Sequence, residues 1–179
     1  MANWNTAYNW MMDSQDPLRA CEELPDACPG GVAGPCFSIS GINSGAWPTE
    51  FAAIAALPQE QRGPLVQQFY ENHFWNKWYV QLVSDEVCKR VFDFAVNGGS
   101  GASVRCLQQA LNSLAGSGWA QLVDDGDWGP LTVDAANSTD PAELAPAFQA
   151  QRVAHYQAIA AVDPDKVRYL SAWIERAQK

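Results

Sequence analysis

An apolar helix that ends in a knot of polar side chains carries the first chemistry in the chain. Trp4, Ala7, Tyr8 and Met11 recur at i, i+3, i+4 and i+7, the period of a core-facing helix stripe. Gln15 takes the next place on that stripe, between Asp13 and Asp16. Pro17 disfavours helix at Asp16, so the spacing predicts a helix over residues 1–16. It delivers a carboxamide and two carboxylates to its own C-terminal end. On pattern alone the plainer reading is a satisfied polar residue near a helix end. Three further carboxylates, Glu22, Glu23 and Asp26, follow in an irregular stretch.

Other kinds of reactive site are not written into the chain. There is no Gly-x-Ser-x-Gly elbow. Gly98-Gly99-Ser100-Gly101 lacks the lysine of a phosphate-cradling loop. The five cysteines are Cys21, Cys28, Cys36, Cys88 and Cys106. Their odd number argues against a complete disulfide framework. The first three cluster without a CxxC unit, and His73 and His155 are the only histidines, so no metal and no cofactor is expected. Free thiols, or one bridge within the loop, stay open. Cys88 and Cys106 fall on apolar helix faces and read as core. Acidic residues in Asp124–Pro130 invite a calcium reading, but no bidentate Glu stands at loop position twelve.

Composition narrows the partner. Eleven Lys and Arg face 20 Asp and Glu, a net charge of -9 over 179 residues, with no basic run. Nucleic acid and anionic membrane surfaces are therefore poor partners. Eight Trp is a high count; several must be buried, and exposed ones would suit flat ligands such as sugar rings. No stretch reaches a membrane span, and no basic start with an apolar run marks a signal peptide. The expectation is a monomer made in the cytosol that reaches any external target by another route.

The elements that must position these groups are mostly helices. Residues 17–49 hold no long periodic segment, and connections of that length are often functional. Within them, the alternation from Cys36 to Ile42 suggests a short strand or hairpin. Further helices are expected over residues 49–57 with Thr49 as cap, 64–77, and from a Ser84 cap to Asn97-Gly98-Gly99. Others follow over residues 102–114, broken by Ala115-Gly116-Ser117-Gly118, then 131–136, then from Pro141, then from Asp163-Pro164. Phe74-Trp75 opens a dense aromatic patch. Asn97 reads as a C-terminal cap, and Asp93 as the satisfied partner of an N–H or an arginine. The fold class is all-α, with about eight helices and a short β element near residues 36–44.

Several segments together resemble the lysozyme-like glycoside hydrolase family 108, the phage and bacterial N-acetylmuramidases. They are Asp26-Ala27-Cys28-Pro29-Gly30-Gly31, Ser40-Gly41-Ile42-Asn43, Phe69-Tyr70 with Phe74-Trp75, and Phe92 to Gly98. Leu107-Gln108-Gln109-Ala110-Leu111, the turn Asp125 to Thr132, Arg152, Tyr156, Trp173 and Arg176 are similar to the small peptidoglycan-binding domain that follows in that family. The resemblance implies a lysozyme-like domain over residues 1–98, with a helical subdomain over 99–179 packed against it. It implies cleavage of peptidoglycan glycan strands between N-acetylmuramic acid and N-acetylglucosamine, by an endolysin that reaches the wall from the host cytoplasm through a membrane lesion.

In that family the opening helix ends in a catalytic Glu, and the helix register puts Gln15 there. An amide keeps the shape of the acid and cannot release or take a proton, so an inactivated chain is expected. Asp16, Glu22, Glu23 and Asp26 compete for the second carboxylate, with Asp26 preferred because it precedes the Gly-Gly turn. Ser40, Asn43, Trp75 and Asn97 are the expected sugar-binding residues. A lytic transglycosylase, a non-catalytic wall-binding protein and a helical interaction module remain as rivals.

Overall fold

The computed structural model describes residues 1–29, 32–76, 78–115 and 121–179. Gly30-Gly31 and the break at residues 116–118 lie outside them. Eight α-helices and a three-stranded sheet form among the described residues. The chain divides into two compact units, residues 8–75 and residues 1–7 with 76–179, the first division falling inside helix α1, Trp4–Gln15.

In the first unit, α1 stops at Gln15, as Pro17 dictates. Met11 and Met12 are wholly buried on it. Strands β1 (Glu23–Asp26), β2 (Cys36–Ile39) and β3 (Ile42–Asn43) form an antiparallel sheet in that order. Ile39 pairs with Ile42 across a two-residue turn. Both are fully buried, worth about 1.5–3 kcal/mol each. Ser40 (φ 49°) and Gly41 (φ 82°) both have left-handed backbone, as a type I′ hairpin turn requires. The expected β element is therefore present, joined by a strand that the sequence hid. β1 is exposed along its whole length and contains Pro25, so it offers no alternation to read.

Helix α2 (Pro48–Ala55) begins one residue earlier than expected. Pro48 occupies its first turn and Trp47 precedes it, so Thr49 does not cap it. Helix α3 (Gly63–His73) ends at His73 rather than near residue 77. Val66, Phe69 and Tyr70 are buried from it, and Trp47 meets Phe69 edge-on at 5.1 Å.

In the second unit, α4 (Asp85–Gly98) starts at Ser84, whose side chain accepts from Val87 N–H. Gly99, at φ 92°, ends it. Val87, Cys88, Val91 and Phe92 are buried from α4, as are Val104 and Leu107 from α5 (Ser100–Leu114). Helix α6 (Pro130–Ser138) leads to α7 (Pro141–Val162), capped by Asp140, and α8 (Val167–Ala177) follows a 3-10 turn at Pro164. Asp93 and Arg152 are almost wholly enclosed. They form an ion pair at 2.8 Å without hydrogen-bond alignment, while Arg176 donates to Asp93 at 2.7 Å. Asp93 is thus the satisfied partner of arginines that its sequence position suggested. Cys88 and Cys106 are buried thiols, and Cys28 and Cys36 form the one bridge left open within the loop.

Candidate active site

The last turn of α1, the loop after it and the β2–β3 hairpin tip meet around Gln15 and Asp16. Asp16 N–H closes the helix on Met12 O at 2.8 Å. The chain then turns back through two left-handed residues, Arg19 (φ 54°) and Cys21 (φ 51°). Such backbone costs about 1–3 kcal/mol per residue and persists only where the surroundings over-determine it. Asp16 supplies that constraint. Its carboxylate accepts from Ala20 N–H at 3.0 Å, Cys21 N–H at 2.8 Å and the Ser40 hydroxyl at 2.7 Å. Ser40 is itself the third left-handed non-glycine residue.

Burial alone would raise the Asp16 pKa. The Cys21 and Ser40 donors, with Ala20 N–H and the Arg19 charge, outweigh it and hold the carboxyl below its ordinary range. Asp16 is therefore an ionised clasp at neutral pH and no proton donor. Arg19 completes the loop. It donates to Asp16 O at 2.8 Å and Asn9 O at 3.0 Å, and pairs with Asp13 at 2.7 Å, occupying the carbonyl end of the helix.

Gln15 is half-buried against the hairpin tip. A side chain on Gly41 would stand 2.4 Å from Gln15 Oε1 and 3.0 Å from the Tyr70 hydroxyl, so it would displace the Gln15 amide, and the left-handed φ favours glycine there. Tyr70 donates to Ser40 O at 2.7 Å. Tyr8 lies 6.3 Å from Tyr70, ring to ring, and its hydroxyl pKa is pushed up to about 12, chiefly by burial. The expected residues Gln15 and Ser40 are thus brought together. Sequence reading missed Tyr70 as the donor to Ser40 O, Tyr8 as its ring neighbour and Arg19 as the partner of Asp13 and Asp16 O. The only local hint was a cation just past a helix end.

Asp26 and Asn43 form a separate pair on the sheet. Asn43 Nδ2 donates to Asp26 Oδ2 and to Ala27 O, both at 2.9 Å. Asn43 Oδ1 accepts from Gly45 N–H at 2.8 Å and Ala46 N–H. Both amide hydrogens and the carbonyl are taken, so Asn43 fixes Asp26 and the following turn. Asp26 is exposed and accepts one further bond, from Ala27 N–H. The Cys28–Cys36 bridge closes the loop directly after it.

Trp75 follows α3 and is half-buried, its N–H donating to Tyr70 O at 3.2 Å. Asn97 belongs to the other unit. It lies inside α4 rather than capping it, and its carbonyl accepts the Tyr156 hydroxyl. Among the described residues no group of His, Cys, Asp and Glu is arranged to hold a metal.

Residues 39–99 match a family model described as glycosyl hydrolase 108, and residues 102–178 match one described as predicted peptidoglycan domain. The first match begins at Ile39, so Gln15 and Asp26 precede it. Among solved structures the chain is similar to SagA of Brucella abortus, at 18% sequence identity and a TM-score of 0.58. That likeness covers 98% of this chain and 93% of that one, and at such identity it speaks for the fold alone. The fold is accordingly mostly α and lysozyme-like. No curated protein matches the chain.

Proposed function

We propose, for a chain that joins a glycosyl hydrolase 108 segment to a peptidoglycan domain, cleavage of peptidoglycan glycan strands between N-acetylmuramic acid and N-acetylglucosamine. Residues 1–98 carry the chemistry and residues 99–179 hold the wall. Position 15 is the proton-donor position, and Gln15 leaves it without a proton. The chain as it stands is silent.

Breaking a glycosidic bond needs a proton at the leaving oxygen, from an acid that is still neutral at neutral pH. The observation that carries this reading is the setting of Gln15. It is half-buried at the negative end of a helix and next in sequence to an ionised Asp16. Both features favour the protonated form of an acid at position 15. Asp26 is the second carboxylate, steadied by Asn43 and exposed with lone pairs to spare for a water proton. Ser40 acts by fixing the hairpin tip, and Trp75 contacts sugar.

The Cys28–Cys36 bridge supports action on the oxidising side of the membrane, at the wall, after a lesion admits the chain as a monomer. Among the described residues no helix is long and apolar enough to cross a membrane.

Purified sacculi digested with Gln15→Glu test the reading. Release of reducing ends supports it, and the parent chain should release about 100- to 10,000-fold less. A folded Gln15→Glu protein that releases nothing from any peptidoglycan sinks it. Muropeptide masses separate hydrolysis from transglycosylation by one water per cut. The amide at position 15 also favours a second reading, a wall-binding protein without catalysis. Sedimentation with sacculi and no gain of activity in Gln15→Glu would select that one.

A further inference from the structure

The unit of residues 1–7 and 76–179 holds a cavity of about 510 Å³ between the loop before α6 and α6 itself. That size lies within the usual range for small-ligand sites. Its floor is rigid. Gln108, 2% exposed on α5, donates to Asp125 Oδ1 at 2.9 Å and Asp127 O at 3.1 Å, and accepts from Gly126 N–H at 2.9 Å. Gly126 is left-handed (φ 82°), and a side chain on it would stand 2.7 Å from Gly101 O. The loop is therefore set before any ligand arrives.

The lining is both apolar and acidic. Half-buried Trp128 and exposed Pro130 line it, with Val123 and Leu131, each 74% exposed. Hydrophobic side chains held in water at the lip of a preformed cavity gain by being covered. Asp125, Asp127 and Asp134 also line it. Asp125 is spent on Gln108 and Asp127 N–H. Asp127 and Asp134 make no ion pair with any described residue, and Arg105, the nearby cation, points at the Asp125 carbonyl. An occupant that complements this lining carries small apolar groups and a positive charge.

Resting on the peptidoglycan reading above, we infer that this cavity binds the peptide stem of the wall rather than its sugars, seating alanine methyls on Trp128 and Leu131 and the side-chain amine of the diamino residue between Asp127 and Asp134. A glycan offers hydroxyls and acetamides and no cation, so it would leave both carboxylates unanswered.

The test titrates the full chain with a synthetic stem tetrapeptide containing a free lysine amine, and with its Nε-acetyl form, by calorimetry. Saturable binding that weakens at least tenfold on acetylation is expected, with the same loss in Asp127→Asn/Asp134→Asn. Leu131→Ser, at an exposed rim position, gives a second variant should the double one unfold, and should also weaken binding at least tenfold. Equal binding of both peptides, no saturable binding, or unaffected variants would overturn the inference. Binding to intact sacculi and to glycan strands stripped of peptide separates the two failures. Equal binding to both, with no peptide binding, overturns the cavity assignment and leaves the peptidoglycan reading standing. Binding to neither removes the peptidoglycan reading and the inference with it.

Discussion

Restoring a carboxyl at position 15 should make the protein active and, at the same time, less stable at neutral pH. Glu fits the space that Gln15 fills, since the two side chains differ by one group. The setting differs for charge. The position is half-buried, it lies at a helix C-terminus, and Asp16 beside it is ionised. Arg19, the cation beside Asp16, is already committed to Asp13 and two backbone carbonyls. Weakening the acid ten- to a hundred-fold, less than full burial achieves, corresponds to about 1.4 to 2.7 kcal/mol. The sign follows from linkage. A group whose pKa is raised on folding stabilises below its unfolded value and loses that contribution as pH rises through the folded value. Gln15→Glu should therefore match the parent near pH 4 and fall about 1.4 to 2.7 kcal/mol below it by about pH 7. Urea titrations of both proteins across that range measure this directly. Release of reducing ends from sacculi should rise about 100- to 10,000-fold over the parent. A stability difference that does not change with pH would show an ordinary, solvated carboxyl, and the proton-donor argument would fail with it.

Other consequences can be checked with the parent chain as background. Asp93→Asn strands two enclosed arginines and should cost about 3–5 kcal/mol in urea titration; a loss under about 1 kcal/mol would contradict the network. Gly41→Ala forces a side chain onto Gln15 and into left-handed backbone, so it should cost at least about 1–2 kcal/mol and abolish any activity gained by Gln15→Glu. Asp16 has a depressed pKa, so its contribution is present above the unfolded carboxylate range and is lost as pH falls through the folded value. Asp16→Asn should accordingly flatten the acid limb of a stability–pH profile below about pH 4, and an unchanged limb would refute the clasp.

The parts of the fold that sequence discloses are those whose cause is local. Ser84 stands where a first turn needs an acceptor, Pro141 where a first turn tolerates proline, and Gly99 where a helix must reverse its backbone. The stripes of α4 and α5 are readable because each faces one core. Thr49 misled because Pro48 next to it is the stronger starter, and Asn97 because a tyrosine 59 positions away took its carbonyl. β1 was invisible, since an exposed strand has no periodicity. Of the candidate site, the helix end at Gln15 was legible from Pro17. Its surroundings were not, because Ser40, Gly41 and Tyr70 arrive from other elements by packing.

The clasp on Asp16 links positions that lie far apart in the chain. The carboxylate at 16 and the hydroxyl at 40 are separated by 24 residues, and each justifies the other's cost. A lineage that replaced Asp16 with an apolar residue would leave Ser40 bent left-handed for no return, and glycine or asparagine would serve better there. Related sequences should therefore carry the acid and the serine together or lack both. That pairing is a search pattern reaching into the opening helix, before Ile39, where the family match has not yet begun.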